Sequence, residues 1–286
     1  MGKVLVTGAT GNVGREVLKS LRSQHQESVA GILAHTDLST VDGETVLFDF
    51  AEESTWKPAL DGVEKIFLMR PPAISDVKTY LFPFVDLALE SGVKQIVFLS
   101  LQGVQFNPLT PHYKVEKYLK HKQAPYTFLR PNFFMQNLAT FYIDDIATRD
   151  EIYLPAGKGK TAFVDVRDIG AVAALVLSTD SHIGKAYTLS GLDSLDYYRV
   201  ATILSDTLKR KITYKNPSVQ EYVERLKSQN AKEDFIKVQK MLYFVVRHNF
   251  SSATSPDIEK LLGRKPIAFH RFVEDYSYVW ANQRRP

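Results

Sequence analysis

A glycine-rich turn between a short apolar run and an amphipathic segment constrains the fold of this chain more than any other feature. Val4 to Val6 is a run of branched residues, and Gly8, Gly11 and Gly14 follow it at once. Glycine permits a sharp turn and lets main-chain N–H groups approach a phosphate closely. Apolar residues then recur at helical spacing, so the turn opens a helix whose N-terminus favours an anion. We therefore predict a strand, a turn and a helix around the pyrophosphate of a dinucleotide, with contacts from Gly8, Thr10, Gly11, Asn12, Val13 and Gly14.

Continuous apolar runs alternate with amphipathic helical patterns through the first half of the chain. Such runs are typical of parallel strands that are buried on both faces. The predicted strands are Val4 to Val6, Val29 to Leu33, Val46 to Phe48, Lys65 to Met69, Gln95 to Leu99 and Thr127 to Leu129. Strand–helix–strand units join parallel strands by right-handed crossovers. The sequence therefore predicts the α/β class, with a Rossmann-type doubly wound parallel sheet.

The pattern changes after Arg130 and becomes mainly helical. Two early helices are predicted at Phe133 to Ile146 and Ile169 to Leu177, with short strands at Ala162 to Val164 and Ala186 to Leu189. The later predicted helices are Tyr197 to Leu208, Val219 to Leu226, Glu233 to Val246, Pro256 to Leu262 and Phe269 to Trp280. We expect residues 1–130 to form a dinucleotide-binding Rossmann core, with returning segments around residues 160–190. Residues 131–286 are expected to form a smaller, mainly helical substrate-side cap.

Composition limits the classes of protein to which the chain can belong. The absence of cysteine excludes disulfides and cysteine-ligated metals, and the seven histidines are too dispersed to predict a metal site. Neither a targeting segment nor an apolar run of about 20 residues is visible, so we expect a cytoplasmic protein that does not act at a membrane. The formal net charge of +4 comes from scattered lysines and arginines. This scatter favours a small-molecule substrate over nucleic acid. Nothing in the sequence marks a self-complementary surface, so a monomer and a homodimer both stay open.

Further motifs accompany the glycine-rich turn along the chain. They are Leu99-Ser100, His112-x-x-x-Glu116, Leu129-Arg130-Pro131, Asn132 to Asn137, Phe163 to Asp168 and Lys185 to Gly191. Together with Thr-Gly-Ala-Thr-Gly-Asn-Val-Gly they resemble the NmrA-like branch of the atypical short-chain dehydrogenases/reductases, over nearly the whole chain. The resemblance implies an NAD(P)H-dependent oxidoreductase that transfers hydride to a planar acceptor such as a quinone or an aromatic dye. The branch also contains non-catalytic NAD(P) redox sensors that act through a protein partner, so this alternative stays open.

The ends of the predicted strands carry the other residues expected at the cofactor, because doubly wound sheets bind ligands beyond the carboxyl ends of their strands. These residues are His35, Asp49, Phe50, Met69, Arg70, Pro71, Ser100, Pro131, Asn132 and Phe133. The resemblance implies that Asp49 lies near the adenine. After the second strand the chain has neither the arginine typical of NADP-binding relatives nor an acid at the strand tip. We expect NADP from the resemblance, with NAD as the alternative.

Two sets of residues are candidates for the chemistry. Tyr113 and Lys117 have the Tyr-x-x-x-Lys spacing of a catalytic dyad in which lysine lowers the tyrosine pKa. The resemblance, aligned on Glu116, instead puts His112 where the lysine belongs and Pro108 where the tyrosine belongs. His112 is therefore the first catalytic candidate and the dyad the alternative. Direct hydride transfer needs mainly positioning, and the expected substrate contacts are Gln102, Phe134, Met135 and Asn137.

Overall fold

A computed structural model describes residues 2–281 of the chain and divides them into two compact units. The first unit contains the residues up to Pro131, together with Val166–Leu189 and Asp257–Arg264. The second unit contains Asn132–Asp165, Ser190–Pro256 and the residues from Lys265 onward. The chain therefore passes between the units five times.

The elements up to residue 131 are β1 (Lys3–Val6), α1 (Asn12–Ser23), β2 (Ser28–Ile32), β3 (Glu44–Leu47), α2 (Trp56–Ala59), β4 (Val63–Met69), α3 (Val77–Tyr80), α4 (Phe82–Glu90), β5 (Gln95–Leu99), α5 (Pro111–His121) and β6 (Tyr126–Pro131). The later elements are α6 (Ile143–Arg149), β7 (Glu151–Ile152), β8 (Lys160–Thr161), α7 (Val166–Leu177), β9 (Ala186–Leu189), β10 (Leu195–Asp196), α8 (Tyr197–Leu208), β11 (Thr213–Tyr214), α9 (Val219–Ser228), α10 (Glu233–Arg247), α11 (Asp257–Leu262) and α12 (Phe269–Ala281).

The first unit is built on a seven-stranded sheet with the order β3-β2-β1-β4-β5-β6-β9, and every pairing in it is parallel. The strand order reverses direction between β1 and β4, which puts the topological switch point there. Every residue of β5 is buried, as expected of a strand covered on both faces. The predicted doubly wound parallel sheet is confirmed.

The second unit has a core of its own, formed mainly by helices. Its two small strand pairs are β8 with β10, which is antiparallel, and β7 with β11, which is parallel. Trp280 is fully buried, and its indole N–H donates to the carbonyl oxygen of Leu138 at 3.1 Å. Within residues 2–281, no helix combines the length and the apolar character that crossing a membrane would require.

The segment after β6 departs from its predicted continuous helix. Phe134 forms a parallel bridge with Val164, and the N–H of Met135 donates to the carbonyl oxygen of Val164 at 2.9 Å. Only Met135–Ala139, a 3-10 turn, and Ile143–Arg149 are helical, because Thr140 between them has a non-helical backbone with φ −125° and ψ −76°. The apolar residues that recur at helical spacing here therefore do not lie on one face of one helix. They are divided among an extended stretch, a 3-10 turn and a short helix.

One helix that the sequence assigned to the substrate-side cap belongs to the first unit. The carboxylate of Asp257, at the start of α11, accepts a hydrogen bond at 2.8 Å from the N–H of Thr188 in β9. Arg264 follows the helix and pairs with Asp168 of α7 at 2.7 Å. These polar contacts lie between residues far apart in sequence, so periodicity gave no indication of them.

Candidate functional site

The glycine-rich turn leaves the first main-chain N–H groups of α1 without side-chain caps. Gly8 has φ +64°, and its carbonyl oxygen accepts a hydrogen bond from the N–H of Gly11 at 3.0 Å. Gly11 is the N-cap residue of α1, and no described side chain bonds to the helix start. No acidic residue lies in the first helical turn, where Asn12 is exposed and Val13 is buried. Thr10, which precedes the helix, is also exposed. An uncapped helix N-terminus of this kind favours an anionic group.

Close contacts explain why two of the predicted residues must be glycine. A Cβ on Gly14 would lie 2.2 Å from the carbonyl oxygen of Gly8, so α1 packs on its own entry turn at a distance that only glycine allows. A Cβ on Gly8 would lie 2.0 Å from Cε of Met69, which is the far end of a flexible side chain, so the positive φ of Gly8 is the main reason that other residues are disfavoured there. The turn and the end of β4 are therefore in direct contact, as the cofactor hypothesis requires.

Thr7 joins the glycine-rich turn to the end of β4, and it is not among the residues predicted for the site. Its Oγ1 donates to the carbonyl oxygen of Met69 at 3.3 Å and accepts from the Met69 N–H at 2.8 Å. Its side chain is fully buried. The sequence signal for this role was the position of the threonine, directly between an apolar strand and the first glycine.

Two buried polar atoms at the strand ends lack a hydrogen-bond partner in the described structure. One is Nε of Arg70, whose Nη1 donates to the carbonyl oxygens of Pro71 at 2.7 Å and Ile74 at 2.6 Å. Burial lowers the pKa of Arg70 from its ordinary value. The other is Oγ of Ser100, directly after β5. Unsatisfied buried groups are costly, and these two atoms are free to bond to a ligand at the strand ends.

The ends of β2 and β3 carry His35, Asp49 and Phe50, which are predicted to contact the cofactor. His35 is exposed, and Asp37 accepts a hydrogen bond from the N–H of Ser39 at 3.0 Å, so it caps the following 3-10 turn. The Asp49 carboxylate accepts from the N–H of Ala51 at 2.9 Å and is half-buried. Phe50 packs its ring in the core, 4.8 Å from that of Phe48, which leaves only its main chain for a cofactor contact.

His112 lies in the first turn of α5 with its ring against Phe98, the two ring centroids being 6.0 Å apart. Burial, and then the positive charge of Arg70, lower the pKa of His112 to about 3. The imidazole is therefore neutral near pH 7, where it can donate or accept a hydrogen bond but carries no additional proton to release.

The low pKa of His112 predicts a pH dependence of stability. Between pH 6.5 and about 3 the unfolded chain binds a proton at His112 that the folded chain does not, so the free energy of unfolding falls as the pH decreases through this window. The wild type should lose up to about 1.4 kcal/mol per pH unit more than His112→Asn. Urea denaturation of both proteins at several pH values below 6.5 measures this difference. Parallel pH profiles would show that His112 is not held neutral by the fold.

The alternative dyad lies on another face of α5. Tyr113 is half-buried and Lys117 is exposed, whereas Glu116 is buried. Glu116 forms a bidentate ion pair with Arg130 of β6, with Nε–Oε1 at 2.9 Å and Nη2–Oε2 at 2.6 Å. The pair joins the helix to the sheet, which gives the Glu and Leu-Arg-Pro motifs a structural role.

The segment after β6 contains the remaining predicted residues. In the first unit, the N–H of Gln102 donates to the carbonyl oxygen of Pro131 at 2.9 Å. In the second unit, Asn132 is buried, and its Nδ2 donates to the carbonyl oxygen of Ser251 at 2.8 Å. Phe133, Phe134 and Asn137 are half-buried, while Met135 is buried.

The described part of the chain holds no group of three or more His, Asp or Glu side chains placed to bind a metal ion. The strand ends of the first unit instead bring together the glycine-rich turn, Met69 and Thr7, with Arg70 charged beside His112. This donor set is rich in main-chain N–H groups and poor in carboxylates. Such a set suits a phosphate-bearing ligand better than a cation.

Comparison with known proteins gives consistent matches over nearly the whole chain. Residues 1–273 match the NmrA-like family. An NAD(P)H azoreductase of Xenophilus azovorans is 27% identical over 284 residues, which cover 96% of this chain and 98% of the azoreductase. An NADPH-dependent quinone oxidoreductase of Escherichia coli has a crystal structure that matches with a TM-score of 0.82 at 25% identity, covering 97% of this chain and 99% of that one. Triphenylmethane reductase of a Citrobacter species, complexed with NADP(H), matches with a TM-score of 0.83 at 24% identity, covering 96% and 99%.

Proposed function

The chain belongs to the NmrA-like family, and from this premise we propose that it is an NAD(P)H-dependent reductase acting on planar small-molecule acceptors such as quinones or aromatic dyes. The names of the azoreductase and the quinone oxidoreductase among its relatives support the reductase activity. The finer assignment of the acceptor rests on the residues of this chain.

The observation that carries the proposal is the uncapped start of α1 beside the switch point of the sheet. We propose that the main-chain N–H groups from Gly11 to Val13 hold the pyrophosphate and that Asp49 lies near the adenine. Ser100 and neutral His112 are proposed to bind the nicotinamide end by hydrogen bonds. When bound there, the reduced nicotinamide supplies a hydride to the acceptor.

We propose that the two units bind different ligands. The first unit holds the dinucleotide, because it contains the glycine-rich turn and the strand ends. The second unit, which begins directly after β6 with Asn132, holds the acceptor against the apolar side chains of Phe133, Phe134 and Met135. Flat aromatic acceptors gain contact area from such side chains. Positioning and exclusion of water then account for the rate, without a tyrosine proton donor.

The proposal is tested by titrating the purified protein with NADPH, NADH and their oxidised forms, and then with acceptors. We expect cofactor binding and consumption of NADPH or NADH in the presence of quinones and triphenylmethane dyes. Tight cofactor binding without turnover of any acceptor would instead favour the redox-sensing regulator. If no dinucleotide binds, both the reductase and the redox-sensing regulator are excluded.

Arg15 is expected to select NADP over NAD. It lies two helical turns before Arg22 on the same face of α1, and Arg22 donates to the carbonyl oxygen of Asp42 at 2.6 Å, just before β3. This face therefore points towards β2 and β3, and Arg15 is exposed without an ion-pair partner among residues 2–281. The end of β2 is where Rossmann folds hold the adenosine ribose.

We expect Arg15→Ala to weaken NADPH binding about tenfold and NADH binding less than about twofold. Isothermal titration with both cofactors measures the difference. Arg22→Ala, which removes the same charge from the same helix face, is the matched control and should change neither affinity. If Arg15→Ala lowered the affinities for NADPH and NADH equally, Arg15 would not select NADP.

A further inference from the structure

The loop between β5 and α5 exposes two large apolar side chains. Phe106 is 83% exposed and Leu109 is 85% exposed, the two highest values among the large apolar side chains of residues 2–281. The N–H of Phe106 donates to the carbonyl oxygen of Gly103 at 3.0 Å, and the N–H of Thr110 donates to that of Asn107 at 3.2 Å. The loop is therefore held by its own hydrogen bonds while these side chains remain in solvent.

The outer face of α5, which follows this loop, is basic. Lys114 and Lys117 lie on one face of the helix and are exposed. Neither lysine forms an ion pair with any residue of the described part of the chain. Between residues 91 and 122 the only acidic residue is Glu116, which is buried and pairs with Arg130. No carboxylate of this stretch is therefore available to neutralise the two lysines.

The short helix α3 packs beside α5 and contributes one charge of each sign. The carboxylate of its N-cap residue Asp76 accepts hydrogen bonds from the N–H of Thr79 at 3.3 Å and from its hydroxyl at 2.6 Å. Lys78 on the same helix is exposed. These two charges balance, so the excess of positive charge on this surface comes from α5.

Exposed apolar side chains beside a basic helix face match the chemistry of an anionic lipid bilayer. Its phosphates and carboxylates attract lysines, and its interface accepts single apolar side chains without a fitted pocket. A stable protein partner would require a contact of about 800 Å² on each side. Two isolated apolar side chains on a loop supply little of that area. The formal net charge of +4 also favours an anionic partner.

We propose that this loop and the outer face of α5 bind peripherally to the surface of anionic phospholipid bilayers. Phe106 and Leu109 enter the boundary between headgroups and acyl chains, and Lys114 and Lys117 bind the headgroups. Peripheral binding needs no spanning helix. The proposal therefore replaces the expectation that the protein does not act at a membrane, which rested on the absence of an apolar run of about 20 residues.

Sedimentation of the full-length protein with lipid vesicles tests this proposal. The vesicles contain either phosphatidylcholine alone or phosphatidylcholine with about 30% phosphatidylserine. We expect binding to the mixed vesicles that weakens with added salt, and at least about tenfold weaker binding to the neutral vesicles. Replacing both Lys114 and Lys117 with glutamine should weaken binding to the mixed vesicles about tenfold. Replacing both Phe106 and Leu109 with serine should have an effect of similar size, with an unchanged Tm.

Two control variants make the same kinds of change elsewhere on the surface. One replaces the exposed Lys211 and Lys240 with glutamine, and the other is Phe250→Ser, at a phenylalanine that is 67% exposed. Both should bind the mixed vesicles as the wild type does. Equal losses in the control variants would show that the basic protein is attracted as a whole, which overturns the assigned surface. Equal binding to both kinds of vesicle, or to neither, would also overturn it.

A tryptophan in place of Phe106 separates insertion from attraction between charges alone. The native Trp56 and Trp280 are buried, so Phe106→Trp adds an exposed indole. We expect its fluorescence to move to shorter wavelengths with the mixed vesicles, and that of Phe250→Trp to stay constant. An unchanged spectrum of vesicle-bound Phe106→Trp would contradict the inference. These measurements require neither cofactor nor acceptor, so their outcome is independent of the proposed reductase function.

Discussion

Replacing Gly11 with aspartate is expected to lower the affinity for NADPH and NADH by more than about a hundredfold while the fold remains intact. Gly11 has φ −80° and ψ 169°, which any residue can adopt. A Cβ at this position would meet the Gly8 carbonyl oxygen at 3.4 Å, an ordinary van der Waals contact. The new carboxylate would accept hydrogen bonds from the first turn of α1 and place a negative charge where the pyrophosphate is proposed to bind.

The stability of the variant separates loss of the ligand site from loss of the fold. Aspartate is a favoured N-cap residue and stabilises a helix relative to glycine by a few tenths of a kcal/mol. The Tm should therefore stay constant or rise slightly while cofactor binding disappears from isothermal titration. Gly11→Asn offers the same cap without the charge and should lose less affinity. Undiminished dinucleotide affinity in Gly11→Asp would refute the placement of the pyrophosphate.

The three glycines of this turn look equivalent in the sequence but have different physical roles. Gly8 is needed for its positive φ and its contact with Met69, and Gly14 for the close packing of α1 on its entry turn. Gly11 has space for a side chain and an ordinary backbone conformation. The spacing predicted the turn and the helix, because these depend on local conformation. The spacing did not distinguish the roles of the three glycines, because the roles of Gly8 and Gly14 depend on the positions of β4 and of the turn in the folded structure.

The strands of the sheet were predictable because buried parallel strands are continuous apolar runs, and the observed bounds differ from the predicted ones by only a few residues. The predicted site residues follow strand ends, which is where doubly wound sheets bind ligands. Sequence patterns could not predict that three loop carbonyls accept hydrogen bonds from one nitrogen of Arg70, or that the Asp257 carboxylate accepts one from the N–H of Thr188. Both arrangements depend on loop geometry and on contacts between distant segments.

The second large effect is expected at Glu116. The replacement Glu116→Ala should lower the free energy of unfolding by about 3–5 kcal/mol. The side chains of Arg130 and Glu116 are 16% and 6% exposed, so the replacement leaves the guanidinium buried without its carboxylate. Urea denaturation of the purified variant measures the loss. A change below about 1 kcal/mol would mean that the pair behaves like an exposed ion pair.

The double variant Glu116→Leu with Arg130→Met tests whether the motif has a role beyond folding. Replacing both charges with apolar side chains removes the unpaired charge, and Met at position 130 can still pack on Phe128, which Arg130 covers at 5.9 Å from the ring centroid. We expect the double variant to recover most of the stability lost by Glu116→Ala. Its kcat with quinones should remain within about threefold of the wild type, because neither charge takes part in the proposed hydride transfer. Recovered stability with lost kcat would instead show that the ion pair positions a residue on α5 for the chemistry, and His112, one helical turn before Glu116, would be the residue to examine.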